Sequence, residues 1–267
     1  MTRGLIVNAD DFGLCREIST GILRAYSDGI VTAASVVVNG RYFRESVHLL
    51  KDSGIDTGIH LTLTGGEKPV SGNVPGLVDN AGRFLRSYRE VIPRILLGRF
   101  DRGALERELS AQIVLLRDSG STISHIDSHQ HLHLLPGIRG MVMRLAQKFG
   151  IPWIRVPQSH RAGVRSLAVN LLARGLKQGL QRYSLSSTDA FIGFDQGGHM
   201  GEAGLSDVLG HLADGVTELM VHPGYDASAI YDWGYAWEDE LRVLTSGAVR
   251  RLIEDRGITL KTFREIA

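Results

Sequence analysis

The chain has 267 residues, with 30 Lys and Arg set against 29 Asp and Glu, 43% hydrophobic residues and a single cysteine, Cys15. This composition is that of a soluble globular protein able to bury a sizeable core, and it excludes an internal disulfide framework. No apolar run approaches the ~20 residues of a membrane span. Asp10 and Asp11 interrupt the first apolar run too early for a signal peptide, so a cytoplasmic location is expected.

Leu5-Ile6-Val7 reads as a short buried parallel strand, ending at Asn8-Ala9-Asp10-Asp11-Phe12-Gly13. A helix is predicted over Glu17–Ser27, with Gly29 as its stop, then a strand over Ala33–Val38, a helix over Phe43–Lys51 and a strand over Thr57–Leu63 that contains His60. Residues 65–87 are rich in Gly, Pro and Asn and lack periodicity, which predicts a long functional loop. Helices follow at Ser87–Leu97 and Arg102–Asp118, then a strand over Thr122–Ile126.

That strand delivers His125-Ile126-Asp127-Ser128-His129-Gln130-His131-Leu132-His133, while the whole chain has only ten histidines. Imidazoles gathered at a strand end bind a transition metal well. The plainer alternative is a polar loop whose histidines satisfy backbone groups. Beyond it, Pro136 opens a helix to Phe149, and Trp153–Val156 is a strand stopped by Pro157. Val164–Arg182 has helical spacing with basic and apolar residues interleaved. It predicts either a packing helix with a basic outer face or an amphipathic helix touching a membrane. Strands at Ala190–Phe194 and Glu218–Val221 open into Asp195-Gln196-Gly197-Gly198-His199 and His222-Pro223-Gly224-Tyr225. A helix over Glu238–Asp255 and a strand over Thr259–Phe263 complete the chain.

Strands alternating with helices predict an α/β fold, a parallel sheet or (β/α) barrel, in one domain over 1–267. Asp10, Asp11, His60, His129, Asp195, His199 and His222 all fall near C-terminal strand ends, the ligand-binding edge of such folds. Adjacent carboxylates on a strand point opposite ways, so one of the Asp10–Asp11 pair can ligate a metal while the other stays free as a base; a helix N-cap is the alternative. His60 alone would be a core residue, with Gly58 leaving room for close backbone approach. Together with Asp11 and His129 it completes a two-histidine, one-carboxylate set with coordination positions open for catalysis. Such a set suits one divalent ion, zinc or magnesium first, cobalt or nickel otherwise. His222 reads as a further ligand, a general acid or a buried hydrogen-bonding residue, with the acid role preferred because three ligands are already in hand. Tyr225, Trp233 and Trp237 are candidates to stack on a substrate, or to pack the core.

The segments Asn8–Gly13, Gly58–Thr64, His125–His133 and His222–Gly224 together resemble the motifs of the YdjC-like carbohydrate deacetylases. The resemblance implies a barrel-like deacetylase fold, a divalent metal on Asp11, His60 and His129, Asp10 as general base and His222 as acid. It implies removal of an N-acetyl group from an amino sugar, borne by an oligosaccharide or glycolipid. The 65–87 loop and the 157–196 region are where substrate selection is expected. Between Asp127 and Asp189 no acidic residue occurs while nine Lys and Arg do, so contact with an anionic membrane or a lipid-linked substrate is weighed beside a plainly solvated basic face. No nucleic-acid partner is expected. The rival classes are another metal-dependent amidohydrolase or phosphoesterase, and a non-catalytic binding protein on the same scaffold.

Overall fold

Eight parallel strands form one sheet in the computed structural model, which describes residues 3–266. In chain order they are β1 (Arg3–Phe12), β2 (Ala33–Val36), β3 (Asp56–Leu61), β4 (Ile123–Ser128), β5 (Trp153–Ile154), β6 (Ala190–Ile192), β7 (Gly215–Val221) and β8 (Ile258–Leu260). The lateral order is β5-β4-β3-β2-β1-β7-β6. One side of β1 is shared, since β8 pairs with Arg3–Leu5 while β2 pairs from Asn8 onward. At the other edge β5 meets the segment leading into β6 through an isolated bridge between Trp153 and Ser186. The sheet therefore curls almost into a barrel, and Arg155, just past β5, reaches carboxylates beside β1, β4 and β7.

The helices α1 (Arg16–Ser27), α2 (Phe43–Ser53), α3 (Tyr88–Leu96), α4 (Arg102–Asp118), α5 (Pro136–Phe149), α6 (Val164–Lys177), α7 (Glu202–Gly210), α8 (Trp237–Leu244) and α9 (Gly247–Asp255) lie outside the strands. Leu5, Val7 and Ala9 pack into the main hydrophobic cluster together with helix residues such as Ile18 and Ile22. Ile6 belongs instead to a small cluster with Ala33 and Phe263 on the concave side. Above that apolar floor the interior turns polar. Asn8 donates to Ser35 (2.9 Å), and Ser35 to Asp127 (2.8 Å), before Asp10 is reached. Every residue of β2 and β3 is buried, so both sheet faces are covered, as a curled parallel sheet requires.

All eight predicted strands form. The predicted helix over Glu238–Asp255 is broken in two, because Ser246 caps α9 by accepting from Ala248 N–H (3.2 Å) and a capping serine favours a helix start over continuation. The helix from Val164 ends at Lys177, followed by a short turn at Leu180–Tyr183. The helix α7 was not predicted, as two glycines in a short segment weaken its pattern. The 65–87 loop contains no helix or long strand, yet Val74, Leu77 and Phe84 are buried. Buried Glu108 of α4 secures it, accepting from Val70 N–H (2.9 Å) and Ser71 N–H (2.6 Å).

Candidate functional site

Asp10 and Asp11 lie within β1, at its C-terminal end. Strand alternation predicts that they face opposite ways, and the structure overturns this. The pairing of β1 with β2 shifts between Ala9 and Phe12, and Asp11 adopts φ +76°. A bulge of this kind re-aims a side chain, and aspartate is among the few residues that tolerate the left-handed region. Both carboxylates thus face His60, whose Nε2 is 3.5 Å from Asp11 Oδ1 and 4.0 Å from Asp10 Oδ2. Neither aspartate caps α1, whose first flanking residue is Cys15.

His60 comes from β3 and His129 from the turn after β4. His129 Nδ1 is 3.0 Å from Asp11 Oδ1. Left-handed backbone at Gln130 and His131 (φ +56° and +55°) turns the chain sharply away after His129. Asp11, His60 and His129 each offer one ligand atom within 4.8 Å of the others, and all three are buried. Asp11 Oδ2 and His129 Nε2 have no hydrogen-bond partner. Buried orphan acceptors are costly unless something occupies them. Around them, one guanidinium, that of Arg155, stands among the buried carboxylates of Asp10, Asp11, Asp127 and Glu218. The excess negative charge and the N₂O donor set both fit a divalent cation.

The same charges shape the proton affinities. Burial alone would lower His60, but Asp127, Asp10 and Asp11 outweigh it and hold the imidazole up at about 9. Burial would raise Asp11, yet His129, His60 and His222 draw it well below the usual carboxylate range. Burial pushes Glu218 up to about 7.

Asp10 is clamped. Arg155 donates to both of its oxygens (2.6 and 2.7 Å), and Asn8 donates to Oδ1 (2.8 Å). Arg155 also reaches Asp127 (2.7 Å) and Glu218 (2.6 Å). His222 follows β7; its backbone N–H donates to buried Glu240 (2.5 Å), and its Nδ1 is buried without a partner. Its ring meets Tyr235 edge-on at 4.8 Å. Trp233 leans over His129 at 5.0 Å and is backed by Tyr231 at 4.5 Å. The Tyr231 hydroxyl donates to buried Glu67 of the 65–87 loop (3.1 Å). Two loops distant in sequence are thereby joined at the rim.

The structure thus brings Asp10, Asp11, His60, His129, His222 and Trp233 together. Trp237 is buried beneath Gly224, and the Tyr225 hydroxyl accepts from Arg24 (3.1 Å). Asp195 instead fastens a neighbouring loop, accepting from Ser159 Oγ (2.5 Å) and His160 N–H (2.6 Å). His199 is exposed on the following turn. Of the other cluster histidines, His125 and His133 serve the scaffold. His125 bonds Ser35 and Ser124 and stacks on Phe263 at 4.0 Å, and His133 bonds Ser128 and the Arg155 carbonyl. Gly58 makes room for a side chain, not for backbone, because a Cβ there would fall within the His125 ring.

Arg155, Asp127 and Tyr235 were not singled out from the sequence. Asp127 had a signal, lying two residues beyond His125 on the same face of β4. Arg155 offered only its place after a short strand.

The family model described as YdjC-like protein matches residues 4–255. A carbohydrate deacetylase of Brevibacillus brevis is 34% identical, over 98% of this chain and 99% of its own. The human carbohydrate deacetylase is 31% identical, over 96% of this chain and 88% of its own. A solved structure from Enterococcus faecalis V583, described as that of a candidate cellobiose-phosphate cleavage protein, superposes with a TM-score of 0.80 at 26% identity, over 100% of both chains.

Proposed function

The chain belongs to the YdjC-like family, and from that premise we propose that it hydrolyses the N-acetyl group of an amino sugar, releasing acetate. The observation that carries this reading is the meeting of Asp11, His60 and His129 beside a second, clamped carboxylate, Asp10. Asp11, His60 and His129 would hold one divalent cation, zinc or magnesium first among them, which when bound polarises an amide carbonyl and acidifies water.

The remaining work belongs to the protein's own groups. Asp127 accepts from His60 Nδ1 and so presents Nε2 to the cluster. Asp10, fixed by Arg155, takes the proton of the water that attacks the acetyl carbon. His222 protonates the amine as the C–N bond breaks, which an amide needs because an amide anion is a poor leaving group. One water is consumed and acetate and a free amino sugar leave. Half-buried Trp233 offers an apolar face for a pyranose ring beside His129.

Acetate release from N-acetylglucosamine oligomers tests the reading. Activity is expected to disappear on chelation and to return when one equivalent of a divalent metal is restored. Absence of acetate release with metal bound, accompanied by phosphate release from sugar phosphates, would overturn it in favour of a phosphoesterase.

A further inference from the structure

The outer side of α6 is apolar and uncovered. Val164 is 86% exposed, Leu167 61% and Leu171 57%. These residues are spaced i, i+3 and i+7, so they form one stripe along the helix. The opposite side, with Ser166, Ala173 and Leu176, is the one that packs on the protein. A surface helix ordinarily turns its polar residues outward, and this one is apolar on both sides.

The charges beside the stripe share one sign. Arg161, Arg165, Arg174 and Lys177 are all exposed, and no Asp or Glu occurs anywhere from 128 to 188. At 100° per residue Arg174 falls beside Leu167 at the margin of the stripe, where a long side chain can lie along an apolar surface with its charge at the edge. Arg174 and Lys177 also line, with Gln158, His160 and Asn170, a cavity of about 430 Å³ next to the helix. An apolar stripe with cations beside it and no acidic residue near it in the chain complements an anionic headgroup layer over acyl chains. Among the described residues no helix is long and apolar enough to cross a membrane, which leaves contact in the plane of the interface.

We propose that α6 docks the protein on an anionic phospholipid bilayer, with Val164, Leu167 and Leu171 entering the interface and Arg161, Arg174 and Lys177 meeting the headgroups. The helix packs against the turn His129–Leu134. Arg165 stands over Phe194 at 5.3 Å, and Phe194 lies 5.3 Å from His131. The docking helix therefore sits beside the histidine cluster, and a docked molecule would work on substrate at the membrane surface. Docking does not depend on the deacetylase reading, since binding is measured without turnover.

The test is co-sedimentation of the full chain with vesicles of equimolar phosphatidylglycerol and phosphatidylcholine, and with vesicles of phosphatidylcholine alone. Wild-type protein is expected to sediment with the anionic vesicles only, and to be released by salt. Leu167→Glu with Leu171→Glu should weaken binding at least about tenfold, and Arg174→Gln about fivefold. An unchanged thermal midpoint in each variant shows that the fold is kept. Failure of the wild type to sediment, or equal sedimentation of the double Glu variant, overturns the proposal. So does a wild-type dimer that the double Glu variant splits and that ignores vesicles, which would assign the stripe to a second copy of the chain.

Discussion

His60 Nδ1 lies 2.7 Å from Asp127 Oδ1, with both side chains buried. This bond fixes the tautomer and orientation of the ring, and a carboxylate behind a ligating imidazole raises its basicity. Asp127→Asn is expected to weaken divalent metal binding about 10–100-fold, read by competition with a chromogenic chelator. His60→Ala and Asp11→Asn should abolish stoichiometric metal on elemental analysis; full occupancy in either would remove that residue from the ligand set.

Arg155 pairs with three buried carboxylates at once. Removing one partner of a buried ionic network costs about 3–5 kcal/mol, because the others are left uncompensated. Arg155→Ala should lose stability of that order in urea unfolding. Arg155→Lys, which keeps the charge but not the two-pronged grip on Asp10, should fold and turn over at least about tenfold more slowly. A normal rate in the lysine variant would show that the clamp on Asp10 is not needed.

Asp10 and His222 carry the proposed proton transfers, each worth about 10²–10⁴ in rate. Asp10→Asn should keep the metal and lose turnover. His222→Ala should fail on acetamides far more than on activated acetyl esters, whose leaving groups need no proton. Equal loss on both substrates would take the acid role from His222.

Burial depresses His133 to about 4, and both of its nitrogens are engaged in hydrogen bonds. The folded value lies below the unfolded one, near 6.5. Its stabilising contribution is therefore complete above pH 6.5 and is lost as pH falls toward 4. His133→Asn should be less stable at pH 7.5 but show a shallower decline in stability across that window, measured by denaturant unfolding at several pH values. An unchanged slope would exclude His133 as a source of acid sensitivity.

Gly58→Ala would drive a methyl group into the His125 ring across the β3–β4 pairing. Overpacking of this kind costs about 1–3 kcal/mol, visible as a lowered thermal midpoint. The compound variant Gly58→Ala, His125→Ala should recover part of the Gly58→Ala penalty, since the clash is removed; no recovery would mean that the ring is not what Gly58 accommodates.

Much of the scaffold is legible in the sequence because strand and helix periods are local properties of the chain. Apolar runs such as Leu5–Val7 and Glu218–Val221 sit where strands form, and their polar ends mark one edge of the sheet. The histidine cluster after Thr122–Ile126 and the Asp10–Asp11 pair point to that edge for the same reason. Where those side chains aim is not a local property. Alternation assigns Asp10 and Asp11 to opposite faces, and only the shifted pairing with β2 turns both toward His60. Arg155 is an ordinary arginine after a two-residue strand until the sheet curls and brings β1, β4 and β7 around it. Spacing along the chain fixes which face of an element a residue can occupy. The partners across the interior are chosen by closure of the sheet, and closure comes from contacts among residues far apart in the chain.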